Sequence, residues 1–316
     1  MSKVTIIGAG SVGATIGYAM CLKGTASEIV LIDINERKAE GEALDIRQGL
    51  PWSPQNKIHA GHYEDAVGSD IVVITSGVPR KPGMSRLDLA QINVDVIKSI
   101  APQITKYAPD AVYIIVSNPV DVMTYVFQKV SGIPENRVIG TGTLLDTARL
   151  RTRLSENFNI SMKNVHAYVF GEHGDSSFVA WSVSNISGIS VQDYSKKVIN
   201  KTNMTQPEFT LDEIVDHVKS SGSWIIERKG ATFYAIAACV THICGCILAG
   251  VDIALTVSTM QHGEYEGVDD VYLSTLALIG RHGVCGKVMM DISEEEREKL
   301  RISSDKLKEV IHSVKF

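Results

Sequence analysis

Short runs of aliphatic and β-branched residues recur along the first half of the chain, at residues 4–7, 29–32, 71–75, 112–116 and 138–140. Longer stretches between them return an apolar side chain every three or four positions. Runs of this length are strand-sized, and the longer period marks amphipathic helices, so the pattern predicts β and α elements in alternation. Alternation of that kind builds a parallel, doubly wound sheet with helices on both faces. After Gly142 the rhythm changes. A helix opens at residue 144, apolar alternation runs through 180–189, and further helices are expected over about 211–228 and from near Ser293. Ser293 and Glu296 have capping-box spacing, and Leu307, Val310, Ile311 and Val314 make a one-sided apolar stripe. The reading is therefore an α/β doubly wound parallel sheet over residues 1–142, followed by an α+β domain over residues 143–316.

The first strand run leads into Gly8, Ala9, Gly10, Ser11, Val12 and Gly13, then a helix to about Lys23 that stops at Gly24. A second strand run ends in Asp33, twenty residues after Gly13. This is the glycine spacing of a Rossmann-type dinucleotide fold. Gly8 allows the tight turn, Gly10 lets a pyrophosphate approach the backbone, and Gly13 lets helix and strand pack closely. The helix N-terminus supplies amide donors for the phosphates. Asp33 is placed to accept the adenosine ribose hydroxyls and to repel a 2′-phosphate, which favours NAD over NADP. Ligands of such sheets lie at the carboxyl ends of the strands, which here carry Thr75, Gly77 and Asn118. Asn118 also reads as a turn residue before Pro119.

Composition narrows the class. With 316 residues, 44% hydrophobic and 21% charged, the chain can bury a large core. Its net charge of −5 gives no general attraction to nucleic acid or anionic membranes, so any anion site must be local. Five cysteines without ligand spacing argue for no metal and for a reducing compartment, and the N-terminus shows no export signal, so a cytoplasmic location is expected. Residues 231–251 lack charged side chains over a membrane-spanning length, but Thr232, Tyr234, Thr241 and His242 within them fit a helix buried in protein better.

The candidate proton handler is His173, between Gly171, Glu172, Gly174 and Asp175 at the end of the apolar run 167–170. An imidazole with an ordinary pKa near 6.5, set among small residues at a strand end, suits proton exchange near neutral pH. Asp146 and Arg149, three apart on one helical face, read either as an intrahelical ion pair or as a functional set. In the second reading Asp146 orients a histidine and Arg149 grips a carboxylate. Residues 78–86 break regular structure with two prolines and a glycine and carry Arg80, Lys81 and Arg86, as a cationic loop beside the cofactor.

In order, GAGSVG, LID, PRKPGMSR, SNPVD, LLDTARLR, GEHGDS and KGATFYAIA resemble the NAD-dependent L-lactate and L-malate dehydrogenase family over essentially the whole chain. The resemblance implies hydride transfer between NADH and a small 2-oxo acid, with His173 as acid/base and Asp146 fixing its tautomer. Arg149 would hold the substrate carboxylate, Arg86 would polarise its carbonyl, and Asn118 and Thr232 would lie in the pocket. It also implies a homotetramer or dimer, and a fructose 1,6-bisphosphate effector held by Arg151 and His166 across a subunit interface. Arg80, six residues before Arg86, matches the position where the malate branch carries arginine. The longer stretches around Asn118, Asp146 and His173, with Thr232, are similar to the lactate branch, which the reading follows. Two other classes are weaker. Tyr125 and Lys129 have the YxxxK spacing of short-chain dehydrogenases but the wrong glycine pattern beside it, and an NAD-binding sensor needs no His173, Asp146, Arg149 and Arg86 together.

Overall fold

The computed structural model describes residues 2–79, 86–199 and 210–316. Arg80 lies outside them, and Arg86 is the first residue of its helix. The amino-terminal half runs β1 (Lys3–Ile7), α1 (Ser11–Lys23), β2 (Glu28–Ile32), α2 (Glu36–Gln48), β3 (Lys57–Ala60), β4 (Ile71–Ile74), α3 (Arg86–Tyr107), β5 (Val112–Ile115), α4 (Val120–Ser131) and β6 (Val138–Gly140). It follows the predicted alternation except at β3, a short strand the pattern does not mark, which leads to β4 with no α-helix between. The remainder begins with α5 (Leu144–Phe158) and the short strands β7 (Val165–His166), β8 (Val169–Phe170), β9 (Phe178–Val179), β10 (Asn185–Ile186) and β11 (Ile189–Ser190). It continues through α6 (Val191–Lys197), α7 (Leu211–Lys229), α8 (Tyr234–Ala249), β12 (Ile253–His262), β13 (Asp269–Gly280), β14 (Gly283–Lys287) and α9 (Glu294–Ser313).

Six parallel strands stand in the order β3-β2-β1-β4-β5-β6. The order reverses at β1, where Val4 faces Ile29 on one side and Ile71 on the other. Crevices for ligands open at such reversals. The interior strands β1, β4 and β5 are buried on both faces, which explains why they read as unbroken apolar runs rather than as alternation. One core layer packs against α3, α4 and α9, and the opposite layer against α1 and α8. Fully burying one such aliphatic side chain is worth roughly 1.5–3 kcal/mol.

The sheet does not stop at residue 142. The antiparallel ribbon β12-β13-β14 joins it through a pairing of Ser258 with Gly140, where a Cβ on Gly140 would fall 2.8 Å from the Ser258 Cβ. Helix α8 covers most of the uncharged stretch 231–251 and buries Ile236, Val240, Ile243 and Ile247. Among the described residues no helix is long and apolar enough to cross a membrane. The expected capping box closes α9: Ser293 Oγ accepts from the Glu296 amide, and the Glu296 carboxylate accepts from that of Ser293.

Candidate active site

The glycine turn between β1 and α1 divides its work among the three glycines. Gly8 has φ +107°, and a Cβ there would lie 2.6 Å from the Thr75 hydroxyl; at Gly13 it would lie 1.8 Å from the Gly8 carbonyl oxygen. Gly10 has nothing within 4 Å of that point and precedes α1 with no side-chain cap. The space in front of the α1 amides is therefore open to a phosphate group. Gly8, Gly10, Asp33, Thr75 and Gly77 line one groove of about 900 Å³. Asp33 is held there by the amides of Ala9 at 2.7 Å and Asn35 at 2.8 Å. The Thr75 hydroxyl donates to the Gly8 carbonyl at 2.9 Å, so this side chain shapes the turn.

A second cavity of about 400 Å³ gathers Asn118, Asp146, Arg149, His173 and Thr232. Helix α5 begins just after β6 and buries its first turn, which carries Asp146 at 7% exposure. The loop after β8 is pinned by Gly171, which exchanges backbone hydrogen bonds with Ser274 of β13 at 3.0 and 3.2 Å. Gly171 has φ +96°, and a Cβ would lie 2.9 Å from the Ser303 hydroxyl, so the turn that delivers His173 requires glycine. His173 Nδ1 then meets Asp146 Oδ2 at 2.6 Å, while Asp146 Oδ1 accepts from Arg149 at 3.0 Å. One carboxylate thus serves both readings of the helix: it pairs with Arg149 and orients the imidazole.

The electrostatics follow from this contact. The Asp146 charge raises the His173 pKa above its ordinary value, against the opposing effect of burial. For Asp146, burial works to raise the carboxyl pKa, but the His173 and Arg149 contacts outweigh it and leave the group below the usual carboxylate range. An ionised Asp146 requires a proton on His173 Nδ1, which leaves Nε2 as the exchanging atom.

Four contributors have little signature in the sequence. Asn93, 2% exposed on α3, accepts from the Val78 amide at 2.7 Å and donates to the Asn118 carbonyl at 2.7 Å, joining two strand-end loops. Gly222 lines the cavity beside Arg149, where a Cβ would meet the guanidinium at an ordinary contact distance of 3.5 Å. Lys219 lines the cavity and donates to the Asp175 carbonyl at 3.0 Å. Asp121 accepts from the His173 amide at 2.7 Å. Elsewhere, Arg151 donates to the Ala167 carbonyl at 3.1 Å and lies over the Tyr168 ring, and His166 is exposed on the adjacent β7. Tyr125 is buried on α4 against the main core and donates to Asp270 at 3.3 Å, away from the cavity, as expected of a packing residue.

A parallel sheet of this order, with a glycine turn opening onto a groove, defines a dinucleotide-binding α/β protein. Residues 2–140 match the family model of the lactate/malate dehydrogenase NAD binding domain, and residues 143–316 match that of the alpha/beta C-terminal domain. The chain belongs to the lactate/malate dehydrogenase family of NAD-dependent oxidoreductases. It is 46% identical to the L-lactate dehydrogenase of Thermoanaerobacterium saccharolyticum, covering 98% of each chain. It is 42% identical to L-lactate dehydrogenase 1 of Clostridium acetobutylicum, covering 99% of this chain and 98% of the other. Among solved structures, the minor L-lactate dehydrogenase of Enterococcus mundtii superposes with a TM-score of 0.93 at 36% identity, over 100% of this chain and 99% of that one. MGS-M5, a lactate dehydrogenase from a deep-sea metagenome library, gives 0.93 at 38% identity over 99% and 98%.

Proposed function

We propose that this protein is a cytoplasmic L-lactate dehydrogenase that interconverts pyruvate and L-lactate with NAD. The observation that carries the chemistry is His173 held at 2.6 Å by Asp146 in the cavity that also contains Arg149. The full-length likeness to L-lactate dehydrogenases supports the substrate. Gly8, Gly10, Gly13, Asp33, Thr75, Gly77 and Asn118 would hold the cofactor, which when bound supplies the hydride for C2 of the oxo acid. Arg149 grips the substrate carboxylate, and Asn118 and Thr232 frame the pocket. As C2 is reduced, His173 Nε2 gives its proton to the carbonyl oxygen, and the resulting neutral imidazole takes a proton back in the reverse direction. Arg86 stabilises the charge that develops on that oxygen.

Arg80 supports a second reading, oxaloacetate reduction. A guanidinium there would pair with a second carboxylate, whereas a methyl would leave it desolvated and unpaired at roughly 3 kcal/mol. The deciding measurement is kcat/KM with NADH for both oxo acids, on the parent and on Arg80→Gln. Pyruvate is expected to be preferred by the parent. Any residual oxaloacetate activity should fall about 100-fold in the variant, the loss of one charge-assisted pair. A strong oxaloacetate preference that disappears in Arg80→Gln would move the enzyme to the malate branch.

The protomer is proposed to assemble as a homotetramer or dimer. Arg151 and His166, doubled by a symmetry axis, would form a fructose 1,6-bisphosphate site. The sugar bisphosphate should then lower the apparent KM for pyruvate about tenfold, a usual size for allosteric coupling. Arg151→Gln should abolish that response; an undiminished response in the variant would exclude the site.

A further inference from the structure

Asp121 is the most deeply buried carboxylate among the described residues, at 2% exposure, yet it does not line the substrate cavity. It sits in the first turn of α4, three residues after Asn118, and reaches across 52 positions of sequence to accept the His173 amide at 2.7 Å. The carboxylate also lies within the influence of the Ser258 hydroxyl on β12. Burial pushes the carboxyl pKa up to about 6, against the opposing influence of the Ser258 hydroxyl and the His173 amide.

An asparagine would serve local stability better than this anion. Its carbonyl could accept the same amide, and its NH2 could donate toward Ser258, with no charge taken out of water. A carboxylate buried this deeply, where an amide would do, points to a use for the charge itself. The group that uses it is the neighbouring imidazole. Among the described residues the charges around His173 are Asp146 and Arg149 from α5, Asp121 from α4, Glu172 and Asp175 in its own loop, and Lys219 from α7 on the Asp175 carbonyl. Asp146 does most to raise the His173 pKa, and Asp121 adds to it while Arg149 opposes.

We propose that Asp121 is a positioning residue for His173: from behind the loop its carboxylate fixes the backbone of the proton donor relative to the Asn118 loop. Its charge also stabilises a proton on the imidazole. This rests on His173 being the acid/base group. Asn93 ties the loop after β4 to Asn118, three residues before Asp121, so the backbone segment 118–121 is held to the cofactor side of the cleft at one end and to the His173 loop at the other.

The two roles separate experimentally. Asp121→Asn keeps the acceptor and removes the charge; Asp121→Ala removes both. The full-length proteins would be compared by NMR titration of ring-labelled histidine, with the His173 signal assigned from its loss in His173→Asn, and by the pH profile of pyruvate reduction at saturating NADH. Asp121→Asn is expected to fold, to keep the low-pH kcat within about threefold, and to shift the His173 midpoint down the pH axis by roughly 0.5 or more. Asp121→Ala is expected to lose about tenfold in kcat even at low pH, with the KM for NADH unchanged. A parent-like His173 midpoint in Asp121→Asn overturns the electrostatic role, and a parent-like kcat in folded Asp121→Ala overturns the positional one. Should the alanine variant not fold, the asparagine titration decides alone. The midpoint is read without substrate, so failure here is distinct from failure of the acid/base assignment, which would appear as retained turnover in His173→Asn.

Discussion

His173→Asn is expected to lower kcat for oxo acid reduction about 1000-fold while leaving NADH affinity, measured by fluorescence titration, within about twofold. Asparagine can still donate toward Asp146 from roughly the place of Nδ1, so the loop and its carboxylate partner should keep their positions. What disappears is the group at Nε2 that carries a proton to the reacting oxygen. The alkoxide that forms as C2 is reduced must then take its proton from water, without a donor already oriented in the cavity. The protein does not change the overall equilibrium, so hydroxy acid oxidation at fixed pH should weaken by a comparable factor. The parent's pH profile gives an independent check. Reduction needs the imidazolium, whose pKa stands above its ordinary value. The rate should therefore hold through pH 6.5 and decline only as the pH rises through that elevated pKa. Turnover within tenfold of the parent in His173→Asn, with the decline still present, would mean that another group handles the proton.

How much of this was legible in the chain depended on the kind of contact. The β1-α1-β2 unit announces itself because each glycine answers a separate backbone demand, and the same spacing exposes Asp33. Helix α9 is legible from the Ser293 and Glu296 spacing, since a capping box is local. The long ribbon β12-β13 is not. It buries Thr256, Ser258, Thr259, Gln261, Ser274 and Thr275 among its aliphatic residues, which breaks the apolar pattern that marks a core strand. Some of these polar groups find partners only once the chain has folded, as Gln261 does with the Leu273 carbonyl of β13 and Thr256 with the Thr147 hydroxyl of α5. In the site, His173 stands out by its motif, and Asp146 by its spacing from Arg149. Their pairing spans 27 residues, and the resemblance suggested it before the geometry displayed it. Asp121 has no such signature, because its partner is a backbone amide that any residue at position 173 would carry. Arg80 is the reverse case: its role is argued from its place in the sequence, and it lies outside the described residues.

Asp146→Asn is the second large effect and should disturb two functions at once. The carboxylate accepts from His173 on one oxygen and from Arg149 on the other. An asparagine has one acceptor and one donor, so it cannot satisfy both. With its carbonyl toward His173, its NH2 faces the Arg149 guanidinium, two donors in opposition, and the arginine loses the anchor that aims it into the cavity. With the amide reversed, Arg149 is satisfied but the NH2 faces Nδ1, which then must accept; the imidazolium is disfavoured, and the neutral ring carries its proton on Nε2, where it can no longer take one from the hydroxy acid. Either way the charge that does most to raise the His173 pKa is gone, while burial continues to lower it. The midpoint for reduction should therefore move to lower pH, so that near pH 7.5 most of the enzyme lacks the proton it must donate. We expect kcat/KM for pyruvate to fall about 1000-fold at that pH, partly through a higher KM from the misaimed Arg149, with NADH binding intact. Lowering the pH should recover the protonation part of the loss and leave the KM part. A variant with the parent's pH midpoint and an unchanged KM for the oxo acid would show that Asp146 serves the helix and not the reaction.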